Sequence, residues 1–451
     1  MNIQKEIEEM KQSMLEDLAV LVAIPSVLDE AGARVHAPFG KEIRRAFDAF
    51  IKIAERLGFT VNDDDGYAVD AQIGEGDAYI GVLGHLDVVG AGNLDEWDHD
   101  PFVMQQKGNL LYGRGVNDDK GPLLAALYAA ALIKKKGFAL KYPIRIIAGG
   151  AEETSWACMQ HYFQHHEQPI CGFSPDGNFP IVNGEKGILQ VRFLFPEEKN
   201  VHFTCKRRLN YVCDDLMVCL PNDPTRFRHA DEIKNEGMNW VLRYFGKTAL
   251  SRNPQRGDNA IFHFVKDICE NADNSWQVPA VLHMIAEQFA DDFYGEKSKL
   301  SAKDANMGTN SVCVMSLNTI ENGIELCVDI RYVKSTTKER LLARLNELAQ
   351  QYGATVEILR EKRLLYVDEQ SLLIQALQHA YETVMHEKAE VFTKGGASYA
   401  RVLDQGVAFG ATFDGEDPRP HMANECQNIQ SLMKACEIYY EALFELAVSE
   451  C

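Results

Sequence analysis

The chain has 451 residues, of which 46% are hydrophobic and 25% charged, and its formal net charge is −20. That length exceeds one ordinary core and implies two or three domains. The acidic balance argues against nucleic acid or an anionic membrane surface as a partner, because both require a basic patch.

The N-terminal segment MNIQKEIEEMKQSMLEDLAVLVAIPS scatters charge among apolar residues at helical spacing. It lacks the basic and apolar regions of a signal peptide, and no apolar run approaches the 18 or so residues of a membrane span. Eleven cysteines, with no C-x-x-C pair, read as free thiols in a reducing cytoplasm. Residues 5–23 form an amphipathic helix ended by Pro25, and residues 40–57 a second one stopped by Gly58. Strands are expected at Val69–Ile73, Tyr79–Leu83 and Pro143–Ala148, with helices at Leu123–Lys136 and Trp156–His166. This alternation implies an α/β fold with a parallel or mixed sheet.

The pattern changes near residue 186. Strands are expected at Gly187–Phe195, Val312–Asn318, Ile324–Arg331 and Thr355–Arg360. Helices are expected at Glu232–Tyr244, Asn259–Asn271, Val281–Phe293 and Lys338–Tyr352. We read residues 187–385 as an inserted α+β domain. Residues 1–186 and 386–451, with a strand at Val407–Phe413 and a closing helix at Gln427–Val448, make a discontinuous catalytic domain.

Chemistry-bearing residues gather at the ends of the expected strands. His85 lies in GHLDVV, with Asp87 two residues on to tie its second ring nitrogen. Asp118 sits in the glycine-rich turn YGRGVNDDKGP, where an aspartate alone could simply cap the helix that follows. Glu152 and Glu153 are adjacent carboxylates that would repel if buried without a counter-charge, which a metal supplies. Asp176 lies in the turn SPDG and His421 in RPHMANE. The carboxyl edge of an open α/β sheet is where ligands bind. Two histidines with Asp and Glu suit zinc, and also manganese or cobalt, whereas an all-carboxylate set would point to magnesium or calcium.

The ordered set GHLDVV, GRGVNDDKGP, GAEETSW, SPDGNFP…NGEKG, GGASYAR and PHMANE resembles the aminoacylase/carboxypeptidase-type di-zinc metallopeptidases. Within them it is similar to the dipeptidase V (Xaa-His dipeptidase, carnosinase-like) subgroup, over nearly the whole chain. The resemblance implies a mixed-sheet di-metal catalytic domain with an inserted lid. One metal would be held by His85 and Asp176, the other by Glu153 and His421, with Asp118 bridging both. Glu152 would be the general base and acid, Asp87 would orient His85, and the Asp118–Asp119 peptide bond would be cis. The substrate would be a small peptide and the protein a monomer, the enlarged lid standing in for a partner subunit.

The lid motif of that family carries a histidine that donates to the tetrahedral intermediate. The matching segment here, GKTALSRNPQRGDNA, has Leu250 in its place. Asn210 and Arg331 match substrate contacts, as do Gly395, Gly396 and Ser398 of the substrate loop, while Cys213 replaces a proline. Arg252, His229 and His283 are candidate replacement donors. The loss at Leu250 leaves two further readings beside a dipeptidase: a metal-binding pseudo-peptidase with little turnover, and an amidohydrolase of N-acyl amino acids.

Overall fold

The computed structural model describes residues 3–448 apart from 199, 207, 222, 225 and 272–277. The chain forms two compact units. The first contains Met1–Gly184, Leu365–Phe392 and Ser398–Cys451, and the second Glu185–Leu364 and Thr393–Ala397. The chain therefore returns to the first unit at Leu365, and the helix Leu372–Met385, which the sequence boundaries assign to the inserted domain, belongs to the first.

The first unit is built on a mixed sheet. Its strand order is Thr60–Asp64, Ala68–Ile73, Ile144–Gly149, Ile80–His85, Cys171–Ser174, Gly406–Ala408, Ile181–Glu185 and Leu365–Tyr366. The four strands from Ile144–Gly149 to Gly406–Ala408 are mutually parallel, so their carboxyl ends share one edge. Glycine lets the central strands approach: a β-carbon on Gly172 would stand 2.1 Å from the Gly81 carbonyl oxygen. The helix Lys120–Lys136 is buried from Lys120 through Ile133 and packs on the closing helix Ile429–Ala447. Three lysines and then Gly137, left-handed at φ 71°, end it, as the negative pole of a helix favours. The helix Lys41–Arg56 is one-sided and buries Ile43, Ala46, Phe47, Phe50, Ile53 and Ala54.

The expected strand Val407–Phe413 is shorter than its apolar sequence suggests, pairing only over Gly406–Ala408. A β-carbon on Gly410 would meet Gly177 at 2.1 Å. The segment runs on against the Gly177 loop rather than as a ladder, with Thr412 donating its N–H to the Gly177 carbonyl at 3.2 Å.

The second unit holds an antiparallel sheet of Ser311–Ile320, Gly323–Tyr332, Gly187–Phe195 and Thr355–Lys362, in that order. A second four-stranded sheet has the order His202–Cys205, Asp215–Leu220, Asn239–Phe245 and Glu232–Glu236. Helices Ala260–Asn271, Ala280–Gln288 and Lys338–Gln351 supply apolar faces to the same core. The helix expected over Glu232–Tyr244 is instead a hairpin. Gly237, at φ 78°, turns the chain, and the Asn235 side chain accepts the Gly237 N–H at 3.0 Å. Leu242 and Tyr244 are buried at the spacing of a strand face. The helix expected to reach Phe293 ends at Gln288. Among the described residues all ten cysteines are free, and no helix is long and apolar enough to cross a membrane.

Asp267, fully buried, fastens the hairpin to the core. It accepts the Arg228 N–H at 2.7 Å, the His229 N–H at 3.1 Å and the Tyr244 hydroxyl at 3.0 Å. Removing it leaves the buried Tyr244 hydroxyl and two part-buried N–H groups unmet, at roughly 1–3 kcal/mol each. Asp267→Ala is expected to destabilise the second unit by about 3 kcal/mol or more, and Tyr244→Phe by only about 1 kcal/mol. Urea unfolding of the full chain followed by circular dichroism measures both.

Candidate metal centre

Five of the predicted residues arrive at one sheet edge because the four strands that lead to them run parallel. His85 is the last residue of Ile80–His85, Glu152 and Glu153 follow Ile144–Gly149, Asp176 follows Cys171–Ser174, and the segment bearing His421 follows Gly406–Ala408. Asp118 comes differently, from the turn before the helix Lys120–Lys136, across a cis Asp118–Asp119 bond. The turn is not a simple cap. Asp119 occupies the cap position without capping the helix, and its carboxylate accepts the His85 N–H at 3.2 Å.

The Asp118 carboxylate lies between two imidazoles. Its Oδ1 is 3.1 Å from His85 Nε2 and its Oδ2 is 3.0 Å from His421 Nε2. His421 Nε2 is also 2.9 Å from Glu153 Oε1. The donor atoms fall into two groups that share Asp118, one with His85 and Asp176 and one with Glu153 and His421, each within 4.8 Å.

Asp87 has a wider part than the sequence suggests. Its backbone carbonyl accepts His85 Nδ1–H at 2.9 Å, while its carboxylate stands 3.6 Å from that nitrogen. The carboxylate accepts the backbone N–H groups of Glu152 and Glu153, both at 3.1 Å. One buried residue thus fixes the histidine ring and the turn carrying both glutamates.

The electrostatics call for a cation. Burial, reinforced by Asp176, Glu153 and Asp118, pushes Glu152 well above the usual carboxylate range. Burial likewise lifts Glu153 to about 7. Burial opposes charge on Asp118, yet hydrogen bonds from His421 and His85 hold it below the usual range. His421, paired with Asp118 and Glu153, is raised to about 10. Imidazoles driven toward protonation by surrounding carboxylates mark a site short of positive charge, and the mixed nitrogen and oxygen donors suit a borderline divalent cation.

Glu425, the last residue of PHMANE, is a functional residue that the sequence pattern alone does not single out. Its buried carboxylate accepts the N–H groups of Gly115 at 3.0 Å, Asn117 at 3.0 Å and Asp118 at 3.2 Å, and Arg114 Nη1 at 2.7 Å. Lys120, the remaining charge of the turn, is also structural. Burial lowers it to about 7, and its Nζ donates to the carbonyls of Leu21 and Ile24 at 2.9 Å each.

In the second unit, Arg331 donates to Asp329 at 2.8 Å and to Asn210 at 3.0 Å, with the Gly395 carbonyl at 3.5 Å. The structure thus groups Asn210, Arg331 and Gly395, and Arg252 lies alongside Gly396: a β-carbon there would stand 3.2 Å from Arg252 Nη1. Ser398 belongs to the first unit, where it is buried. Leu250 is exposed and bridges to Tyr211. Of the other replacement donors, His229 lies 3.4 Å from Glu270 and His283 is exposed on the helix Ala280–Gln288.

A parallel sheet edge that presents two histidines and several carboxylates, with one carboxylate shared, defines a metallopeptidase-type site. The sequence profile of Peptidase family M20/M25/M40 matches residues 81–445, and the chain belongs to that family. It is 31% identical to "Putative dipeptidase YtjP" of Bacillus subtilis (strain 168), over 99% of this chain and 100% of the relative. Its fold is similar to the di-peptidase Dug1p from Saccharomyces cerevisiae, at 13% identity and a TM-score of 0.61 over 98% of each chain. It is also similar to aminoacylhistidine dipeptidase from Vibrio alginolyticus, at 14% identity and a TM-score of 0.60 over 97% of each chain.

Because Glu425 holds the Asp118 turn, Glu425→Gln is expected to weaken divalent-cation binding by about 10–100-fold, the usual effect of losing a partner behind a candidate ligand. It should also lower the melting temperature, since Arg114 would lose its buried counter-charge. Zinc titration by calorimetry and thermal unfolding check the two effects separately.

Proposed function

We propose that this peptidase hydrolyses the amide bond of dipeptides at a dinuclear metal centre. The observation that carries the reading is the Asp118 carboxylate, one oxygen turned to His85 and the other to His421. Asp118, His85 and Asp176 would hold one divalent cation, and Asp118, Glu153 and His421 the other. Zinc is the first choice, and manganese or cobalt suits the same donors. When bound, such cations supply polarisation of the scissile carbonyl and a lowered pKa for water.

The chain's own residues do the rest. Glu152 accepts the proton of the attacking water on its carboxylate and returns it to the amine nitrogen as the C–N bond breaks. Asp87 keeps Glu152 in place through its backbone N–H and keeps His85 Nε2 turned to Asp118. A dipeptide substrate is supported by the "Putative dipeptidase YtjP" relative, which this chain covers in full. Glu152→Gln is expected to lower kcat on free dipeptides by about 10²–10⁴ with metal content unchanged. Steady-state kinetics on free and N-acetylated dipeptides measure this. Undiminished hydrolysis by the variant would remove Glu152 from the mechanism, and preference for the acetylated form would favour the deacylase reading.

Leu250 has no proton to donate to a developing oxyanion. Arg252, two residues on, is exposed and its guanidinium lies beside Gly396, whereas Arg331 is committed to Asp329 and Asn210. We assign the role of replacement donor to Arg252, and contact with the substrate carboxylate to Arg331, Asn210, Gly395 and Gly396 of the same unit. Loss of such a donor lowers kcat by about 10²–10³. Arg252→Ala is expected to show that loss with a smaller change in KM, and Leu250→His to gain little. A large gain in Leu250→His, with Arg252→Ala silent, would mean that the native site is crippled.

A further inference from the structure

A second cluster of metal-ligating side chains lies in the first unit and shares no residue with the Asp118 centre. Asp64 ends the edge strand Thr60–Asp64. Facing it are His161 and His165, four residues apart and so on one face of the helix Ala157–His165, and His166 at the end of that helix. His161 Nδ1 is 2.8 Å from Asp64 Oδ2. His165 Nδ1 and His166 Nε2 are each 3.5 Å from Asp64 Oδ1. The donor atoms of Asp64, His161 and His165 all lie within 4.8 Å of one another.

We propose that Asp64, His161, His165 and His166 form a second, structural binding site for a divalent cation of the zinc type. One carboxylate needs one imidazole for a good hydrogen bond, and His161 already supplies it. The other two stand too far for a strong hydrogen bond, yet close to the spacing of neighbouring ligands around a tetrahedral zinc. Bonds of about 2.0–2.1 Å put adjacent donors roughly 3.3 Å apart. The 2.8 Å contact need open by only about half an ångström to meet that geometry.

Three further features favour a cation there. The rings are held in place: Tyr67 stacks on His161 with centroids 3.9 Å apart, and Tyr162 on His166 at 4.2 Å. The carboxyl end of a helix carries partial negative charge, which favours a cation at His165 and His166. Asp64 is nearly buried whereas His165 is half exposed, so an ion has both a low-dielectric anchor and a way in. The donor atoms of Asp64, His161 and His165 are already mutually close, and a small shift of His166, 3.5 Å from Asp64, would complete a four-ligand set of the structural kind. The ion would fasten the edge strand to the helix that follows the Glu152–Glu153 turn.

The test uses the full chain, stripped with a chelator, dialysed against zinc ions and assayed for bound zinc by atomic emission. Wild type is expected to retain one zinc equivalent more than His161→Gln/His165→Gln, and its melting temperature to rise more on zinc addition. Dipeptide hydrolysis at saturating metal should be equal in the two proteins. Equal zinc content would overturn the proposal. Should the double variant fail to fold by far-ultraviolet circular dichroism, Asp64→Asn and His166→Gln are read in the same way. Both proteins keep the Asp118 centre, so the difference of one equivalent is independent of how many ions that centre holds.

Discussion

The turn that presents Asp118 is held by a carboxylate more than three hundred residues away in sequence. Glu425 gathers the N–H groups of Gly115, Asn117 and Asp118 and neutralises buried Arg114. The neighbouring side chains extend the same clasp, with Asn117 donating to Gln427 at 2.6 Å and Asn109 to Asn428 at 2.6 Å. The strand Cys426–Asn428 pairs with Leu110–Tyr112 in register. In a discontinuous unit the last segment must seat on the first to complete the site, and Glu425 is one of the ties that join them. Convergent N–H donors stabilise a buried carboxylate strongly, so the turn is pre-organised by protein contacts.

The same principle recurs at Asp87. Two carboxylates, Asp87 and Glu425, spend their hydrogen-bonding capacity on backbone N–H groups and so act as scaffolding. Asp118 and Glu153 are turned to imidazoles, and Asp176 completes the group around Asp118 and His85. Acidic residues therefore divide into holders and held, and only the held ones are available to a cation. Composition cannot draw that division, because both kinds are Asp or Glu.

The catalytic unit was more legible than the inserted one. The parallel strands are largely apolar, and each ends at or leads to a residue with metal-ligand chemistry, so order along the chain maps onto one edge in space. The hairpin Glu232–Phe245 was not legible as such. Its charged and amide residues give no clear period, and Gly237 reads as an interruption of a helix rather than the turn it is. What decides it is tertiary: Tyr244 reaches the buried Asp267 only from a strand. The group around Arg331 was visible as separate matches, but the tie to Asp329, which absorbs one edge of the guanidinium, depends on strand geometry.

Two histidine-bearing clusters in one unit differ in a way that bears on what each can do. The Asp118 centre has an excess of carboxylates, a shared ligand and a half-exposed histidine at left-handed φ, so its donors outnumber what closed coordination of a single ion requires. The Asp64 cluster has one carboxylate with two imidazoles grouped about it and a third 3.5 Å away. An excess of donors favours exchange at a bound ion, whereas a set with few donors to spare favours retention. The chemistry of each cluster follows from the ratio of carboxylate to imidazole, which the positions of the strands and of one short helix set.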